Sequence, residues 1–531
     1  MRKFIKKHIT EAILAFGFSF MLYMYEPLFL YSYNVTEFWF DIYLYFKYVL
    51  IEFIIMYFVI LLILLIINKI FKNSYKIKSI LLIIYIYMYI EGNYLIGTLP
   101  KIDGVEVRPT YNEWIKGNIL SAIIIIIVYL AVKYLIKEKT IKNINKYIKY
   151  SVLVISLMLS AATISFLFKP HFFDKKENVS ATYKNLNTYS NNKNFIIFVA
   201  DTVDATEFNK RVDNKTLFKD FTGYKDTTSP YLFTRYSIPF LLSGKYYENH
   251  EEFVDYYTEI LDESKVINNF ISYNYKIDLY EPGIINNGNS YKRIDNLKST
   301  NKLNLSSFIK VETKYTLYKY IPYGLKYFAN ITTLNFNFIK EKEFYSYSND
   351  SFYKKLDDTI EKVDNNMFKF IHIEGAHGPF RYDKNMNYLN NGNYETSIDA
   401  TITIIEKYLN VLKENNIYDN SVIIITADHG YDNDGTIGRS NPILYIKGYN
   451  EHHEYIDSTD KVSFIDLVNS YEKLINDNSS KELFKEVQPN DKRRILAYDF
   501  EYDGDIYEYY QEGNAWNKDT IKSTGKTYRK K

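Results

Sequence analysis

Five runs of mostly apolar residues crowd into the first third of the chain: roughly Thr10 to Tyr31, Tyr45 to Ile67, Ser79 to Thr98, Asn118 to Ile136 and Ser151 to Phe168. Nothing else in the sequence constrains the fold as strongly. A helix needs about 20 such residues to cross the hydrocarbon core of a bilayer, where only its own backbone can satisfy its polar groups. The chain therefore divides into a five-helix membrane domain over residues 1–170 and a soluble remainder. The first run is too long for a removable signal peptide and lacks a small-residue cleavage site after it, so it is expected to remain as a span. Lys and Arg set the orientation. Arg2, Lys3, Lys6 and Lys7 precede the first run, Lys69, Lys72, Lys76 and Lys78 follow the second, and Lys137, Lys139, Lys142, Lys146 and Lys149 follow the fourth. The alternate loops hold only Lys101, Arg108 and Lys116. The N-terminus is thus expected in the cytoplasm and everything after Phe168 outside, in an integral protein of the cytoplasmic membrane. One helix would suffice as an anchor, so five point to a platform for lipid or a partner surface. The outer loop from Glu91 to Gly104 is polar and turn-rich, fit for a lipid headgroup path or for ordinary solvation.

Residues 171–193 are polar, Asn-rich and without periodicity, which predicts a linker. The soluble domain, placed at 194–480 with an extension over 481–531, begins with Asn194-Phe-Ile-Ile-Phe-Val-Ala200, a continuous apolar run of the kind buried on both faces of a parallel sheet. It ends in Asp201-Thr202. Phe368 to Ile373 ends in Glu374-Gly375-Ala376-His377, and Ser421 to Thr426 ends in Ala427-Asp428-His429-Gly430. In open α/β sheets ligands bind at the C-terminal strand ends, so these polar groups are expected to converge. A helical pattern from about Ser397 to Asn415 completes an αβ alternation.

Asp201, Asp428 and His429 are oxygen and imidazole donors suited to one divalent metal ion, Zn, Mn or Mg. An Asp-His dipeptide alone is weak, and Asp201 could cap a helix, but three such residues at buried strand ends need compensating charge. The chain has no cysteine, which removes thiolate ligands and Cys nucleophiles, and its net charge of +2 gives no nucleic-acid footprint. His372, inside a strand, is read as a packed core histidine, and His452 and His453 as loop residues that lie near the site or in solvent.

Thr227 to Gly244 contains Thr234-Arg235-Tyr236-Ser237-Ile238-Pro239 followed by Leu241-Leu242-Ser243-Gly244. This stretch resembles the nucleophile motif of membrane phosphoethanolamine and phosphoglycerol transferases in the alkaline phosphatase/sulfatase superfamily. With Asp201, His377-Gly378-Pro379 and Asp428-His429-Gly430 in order, the resemblance covers about Asn194 to Lys473, and the five-helix prefix is similar to lipoteichoic acid synthase. It implies an α-helical transmembrane domain followed by an α/β alkaline phosphatase-like domain with a mostly parallel sheet. It also implies metal ligation by Asp201, Thr234, Asp428 and His429, catalysis by Thr234 and His377, and Arg235 as a charge clamp. Thr234 stands where sulfatases place the residue that becomes formylglycine, yet threonine cannot give that aldehyde, because its carbinol carbon already carries a methyl group. The paired aspartates of many sulfatases are absent, since Asp201 is flanked by Ala200 and Thr202, which favours one principal metal. The expected reaction moves a phosphoethanolamine or phosphoglycerol group from a membrane phospholipid donor to a surface glycan or lipid acceptor through a phosphothreonine intermediate. The rivals are a sulfatase-type hydrolase, with Ser237 as an alternative modified residue, and a non-catalytic lipid sensor.

Overall fold

The computed structural model describes residues 2–35, 38–95, 106–107, 111–135, 141–176, 179–283, 293–326, 331–332, 335–336, 339–356, 359–432, 437–476, 479–484, 492–498 and 504–530. The chain forms two compact units, Met1–Lys176 with Asn301–Glu341 and Glu177–Thr300 with Lys342–Lys531.

In the first unit, helices occupy the described residues of all five apolar runs. Among the described residues, four of them are long and apolar enough to cross a membrane: His8–Tyr33, Ile42–Ile70, Tyr111–Tyr134 and Lys142–Phe166. The third expected span is a shorter helix, Tyr75–Ile90, continued by a π-helical turn over Glu91–Leu95. The rest of the outer loop, 96–104, lies outside the described residues. Asp41 caps Ile42–Ile70 by accepting the Leu44 amide at 2.9 Å, satisfying a donor that lipid could not. Apolar side chains such as Phe58 and Leu62 on that helix are exposed, as befits a face turned to lipid.

Residues 301–341, expected within the catalytic domain, belong with these helices. Leu305–Tyr320 packs against Ile42–Ile70, Glu26–Tyr33 and the π turns Met21–Tyr25 and Glu91–Leu95. Phe308, Val311 and Tyr315 join the apolar core of the bundle. Lys319 pairs with Glu26, and Lys326 with Glu91 at 2.6 Å, with all four side chains buried. Charges leave water only with partners, and the pairing explains why these lysines turn inward.

The second unit is built on a seven-stranded sheet with the spatial order Ile456–Ser463, Thr222–Thr228, Leu444–Lys447, Ser421–Thr426, Asn194–Ala200, Asn366–Ile373, Tyr275–Tyr280. Every pairing is parallel except the two made by Leu444–Lys447. All seven residues of Asn194–Ala200 are buried, because alternate side chains meet helices on opposite faces. Phe195 packs edge-to-face with Phe270 and Tyr471 on one side, and Phe198 packs against Phe352 and Tyr408 on the other. The helix expected near 397–415 spans Tyr394–Glu414. The expected linker has structure of its own: Val179–Ala181 pairs with Leu297–Ser299 and Thr188–Ser190 with Glu361–Val363. Their buried side chains make them part of the soluble unit despite a polar sequence.

The C-terminal extension forms a three-stranded antiparallel sheet, Arg493–Tyr498, Ile506–Gln511 and Ile521–Tyr528. This sheet packs on the segment that leads to Thr234. Leu232, Ile495 and Ala497 share a core, the Leu496 amide donates to the Pro230 carbonyl at 2.7 Å, and the Tyr498 ring packs against Phe233.

Candidate metal centre and active site

Three adjacent strands deliver the cluster from their C-terminal ends. Donor atoms of Asp201, His372 and Asp428 all lie within 4.8 Å of one another, and all three side chains are buried. His429 Nε2 is 3.8 Å from Asp201 Oδ1 and 3.4 Å from Asp428 Oδ2. Thr234, the first residue of the helix Thr234–Ser243, donates from Oγ1 to Asp201 Oδ2 across 3.4 Å. The structure thus brings together the four residues expected to hold a metal.

It also adds His372, which the sequence reading placed in the core. The ring is indeed buried in the strand Asn366–Ile373, but its Nε2 lies 3.7 Å from Asp201 Oδ2, on the cluster side. Its Nδ1 faces Glu281 Oε2 at 2.6 Å. A carboxylate behind an imidazole fixes ring orientation and tautomer in the manner of metal-binding histidines. Burial disfavours charge on His372, yet Glu281 and Asp201 together raise its pKa well above the ordinary histidine value. A proton and a metal ion would compete for the same Nε2 lone pair.

The backbone around the cluster is closely stitched. The Ala376 amide donates to the Asp201 carbonyl at 2.9 Å and the Asp201 amide to the Ile373 carbonyl at 3.1 Å. Gly375 has φ +57°, and a Cβ there would meet the Asp201 carbonyl oxygen at 2.5 Å, so only glycine fits. Thr202, at φ +61°, is a threonine held in left-handed backbone. Its amide donates to Asp428 Oδ1 at 3.0 Å and its hydroxyl to Asp201 Oδ1 at 2.5 Å, coupling the two carboxylates.

These residues fit a divalent cation. His372 Nε2 and Asp428 Oδ2 are buried with no hydrogen-bond partner, an arrangement that costs about 1–3 kcal/mol per group unless a ligand answers it. His429 Nδ1 faces the Gly430 carbonyl at 2.8 Å; donation there leaves Nε2 as a lone pair toward Asp201 and Asp428. Burial also lowers the His429 pKa, favouring the neutral form a ligand requires. Burial works against ionised Asp201, but His377, then His372 and His429, hold it well below the usual carboxylate range.

His377 acts on Asp201 through charge, while its Nδ1 lies 2.6 Å from the Gly378 carbonyl. Arg235 has its guanidinium carbon over the Phe253 ring, 4.3 Å from the centroid. Ser237 is fully buried and donates to the Asp428 carbonyl at 2.5 Å, so it braces the site from behind. His452 and His453 lie by Asp419 and Asp220, before the strands Ser421–Thr426 and Thr222–Thr228, at the opposite edge of the sheet. Arg439 was not anticipated. It stands over Phe233, the neighbour of Thr234, its charge acts on His429, and its carbonyl accepts the Gly430 amide at 2.7 Å.

The Sulfatase family model matches residues 179–462, more than half of the sequence, and the chain belongs to the sulfatase family. No curated protein matches it. Among solved structures it is similar to the C-terminal periplasmic domain of EcEptC from Escherichia coli, at 10% identity, covering 66% of this chain and 96% of that one with a TM-score of 0.34. It is similar to the lipoteichoic acid synthase LtaP from Listeria monocytogenes at 10% identity, covering 62% and 85% with a TM-score of 0.34. A protein in the alkaline phosphatase superfamily from Vibrio parahaemolyticus is similar at 12% identity, covering 66% and 81% with a TM-score of 0.37.

Proposed function

We propose that the protein is a membrane-anchored phosphotransferase that takes a phosphoethanolamine or phosphoglycerol group from a phospholipid and passes it to a surface glycan or lipid. The observation that carries this reading is the placement of Thr234 Oγ1, at a helix N-terminus and 3.4 Å from an Asp201 oxygen within the donor cluster. A divalent Zn, Mn or Mg ion held by Asp201, His372, Asp428 and His429 would supply Lewis-acid stabilisation of charge on the phosphoryl oxygens.

The steps at the protein's own residues balance as follows. Thr234 Oγ bonds to the donor phosphorus, its proton leaving to water, and the bond from phosphorus to the diacylglycerol oxygen breaks. His377 protonates that departing oxygen. The phosphodiester on Thr234 faces the first amides of Thr234–Ser243, whose dipole favours negative charge, and Arg235 clamps the same charge. An acceptor hydroxyl then attacks phosphorus and gives its proton to His377, restoring it, while the bond from phosphorus to Thr234 Oγ breaks and Oγ takes a proton from water. Positive-inside charge supports an extracytoplasmic location for this chemistry. A methylated carbinol carbon at Thr234 and the buried, bracing role of Ser237 both weigh against aldehyde-based sulfate hydrolysis.

Peptide mass spectrometry of protein purified with phospholipid tests the reading. An ethanolamine-phosphate or glycerophosphate adduct on the Thr234 peptide is expected, together with loss of turnover in Thr234→Ala. Native rates in that variant, or an aldehyde at Ser237, would overturn it.

A further inference from the structure

The loops that carry His429 and His377 run on into aromatic residues that the transfer chemistry does not use. Tyr431 follows Gly430 directly, and its ring stacks on Tyr394 with centroids 3.9 Å and planes 16° apart. Tyr394 is buried and tied to the donor cluster: its hydroxyl donates to the Thr202 carbonyl at 2.8 Å and accepts the Asp204 amide at 2.9 Å. Thr202 in turn holds Asp428 and Asp201 through its amide and hydroxyl. Tyr431 is only half-buried, and its hydroxyl makes no hydrogen bond among the described residues. Phe380, three residues beyond His377, packs edge-to-face with both, its centroid 6.0 Å from Tyr394 and 6.4 Å from Tyr431. The three rings form an aromatic step beside the cluster.

Arg439 borders this step. Its carbonyl accepts the Gly430 amide at 2.7 Å, which sets its backbone next to that of Tyr431, and its guanidinium lies over Phe233, 5.0 Å from the ring centroid. Phe233 approaches His429, with centroids 6.3 Å apart, and immediately precedes Thr234. Asp432, the acid next to Tyr431, pairs with Lys518 at 2.6 Å. Among the described residues the Arg439 side chain meets no carboxylate and no hydrogen-bond acceptor. A guanidinium presents five donors in a plane that matches carboxylate or phosphate, so an uncommitted one at a site is a seat for an anion.

In the transfer reading, on which this inference rests, an acceptor must bring a hydroxyl to His377 and to the phosphorus on Thr234. The rest of that molecule then meets Phe380 on one loop and Tyr431 on the other. An acyl chain would call for a continuous apolar lining, but Arg439 and the Asp432–Lys518 pair interrupt this one. Aromatic faces with a few placed polar groups suit a sugar ring, whose C–H faces pack on aromatic rings while its hydroxyls stay solvated. We propose that Tyr431, Phe380 and Arg439 form the acceptor subsite, and that the acceptor is an anionic glycan whose ring lies on the aromatic step and whose carboxylate or phosphate pairs with Arg439.

The second half-reaction of the full-length protein in lipid nanodiscs tests this. Protein carrying the phospholipid-derived adduct on Thr234 is mixed with glucuronic acid, glucose or glycerol, and loss of the adduct is followed by mass spectrometry. Glucuronic acid should discharge it at about tenfold lower concentration than glucose, and glucose at lower concentration than glycerol, which has hydroxyls but no ring. In Arg439→Gln the preference for glucuronic acid over glucose should vanish while that for glucose over glycerol persists. Tyr431→Ala should do the reverse, and Tyr431→Phe should keep both. A ratio between acceptors cancels any loss of folded protein, so variants that slow every discharge alike and keep both preferences would overturn the proposal. So would native protein that discharges to all three acceptors alike. Slower adduct formation in Arg439→Gln with unchanged preferences would assign the guanidinium to the donor instead. Absence of any adduct in native protein would sink the transfer reading itself, and the acceptor subsite with it.

Discussion

Glu281 offers the sharpest way to test whether His372 is a metal ligand or only a core residue. Glu281 Oε2 lies 2.6 Å from His372 Nδ1, and both side chains are buried, so solvent cannot replace the contact. Loss of such a partner changes metal affinity by about 10–100-fold, which is about 1.4–2.8 kcal/mol. Glu281→Gln retains an acceptor for Nδ1 and loses only the charge, so it should fall at the lower end of that range. Glu281→Ala unties the ring and should fall at the upper end, and His372→Ala, which removes the donor atom itself, should cost more than either. Calorimetric titration of Zn or Mn into full-length protein, with thermal melts to verify folding, reads the series. Native affinity in His372→Ala, or melts that shift in the Glu281 variants while affinity does not, would return His372 to the core and refute the reasoning.

Ser237→Ala removes a hydroxyl that braces the Asp428 carbonyl while Ser229 still donates to it at 2.9 Å, so unfolding should shift by about 0.5–1.5 kcal/mol with activity reduced but retained. Complete loss of turnover in a stably folded Ser237→Ala would revive the hydrolase reading. Phe198→Ala should cost about 3–5 kcal/mol, read in chemical denaturation, because its ring fills the face of the sheet beneath Tyr408. Burial raises the Asp278 carboxyl to about 6. The folded state then holds a proton that the unfolded chain releases, so stability falls as pH rises from the ordinary carboxylate range to about pH 6. Asp278→Asn should flatten that slope in pH-dependent melts.

The central strands and their polar ends were legible because burial on both faces leaves a continuous apolar run that stops abruptly at Asp201, Glu374 and Ala427-Asp428. Helices fell where apolar length required them. His372 was hidden by the same logic: a histidine within an apolar strand reads as core, and the direction of its Nε2 is decided by register with the neighbouring strand, where it pairs with Val199. Glu281 follows Tyr275–Tyr280, an edge strand whose Lys276 and Asp278 interrupt the apolar pattern. The insertion at 301–341 was illegible for a different reason. Glu312, Lys319 and Lys326 look like surface charges until partners contributed by distant helices appear beside them. Pairing of buried charge is a tertiary property that no local window contains.

That insertion also imposes an order on biosynthesis. The segments carrying Glu26 and Glu91 leave the ribosome first, but the lysines that answer their charges come only after the whole of 177–300 has been made. Until then the membrane unit is an unfinished bundle with exposed polar seams, a natural client for insertion factors or chaperones. The same dependence bears on truncation. A chain begun at 177 would retain 301–341 with Phe308 and Tyr315 stripped of their apolar neighbours and Lys319 and Lys326 of their acids, so a soluble fragment designed for biochemistry would have to excise that segment as well.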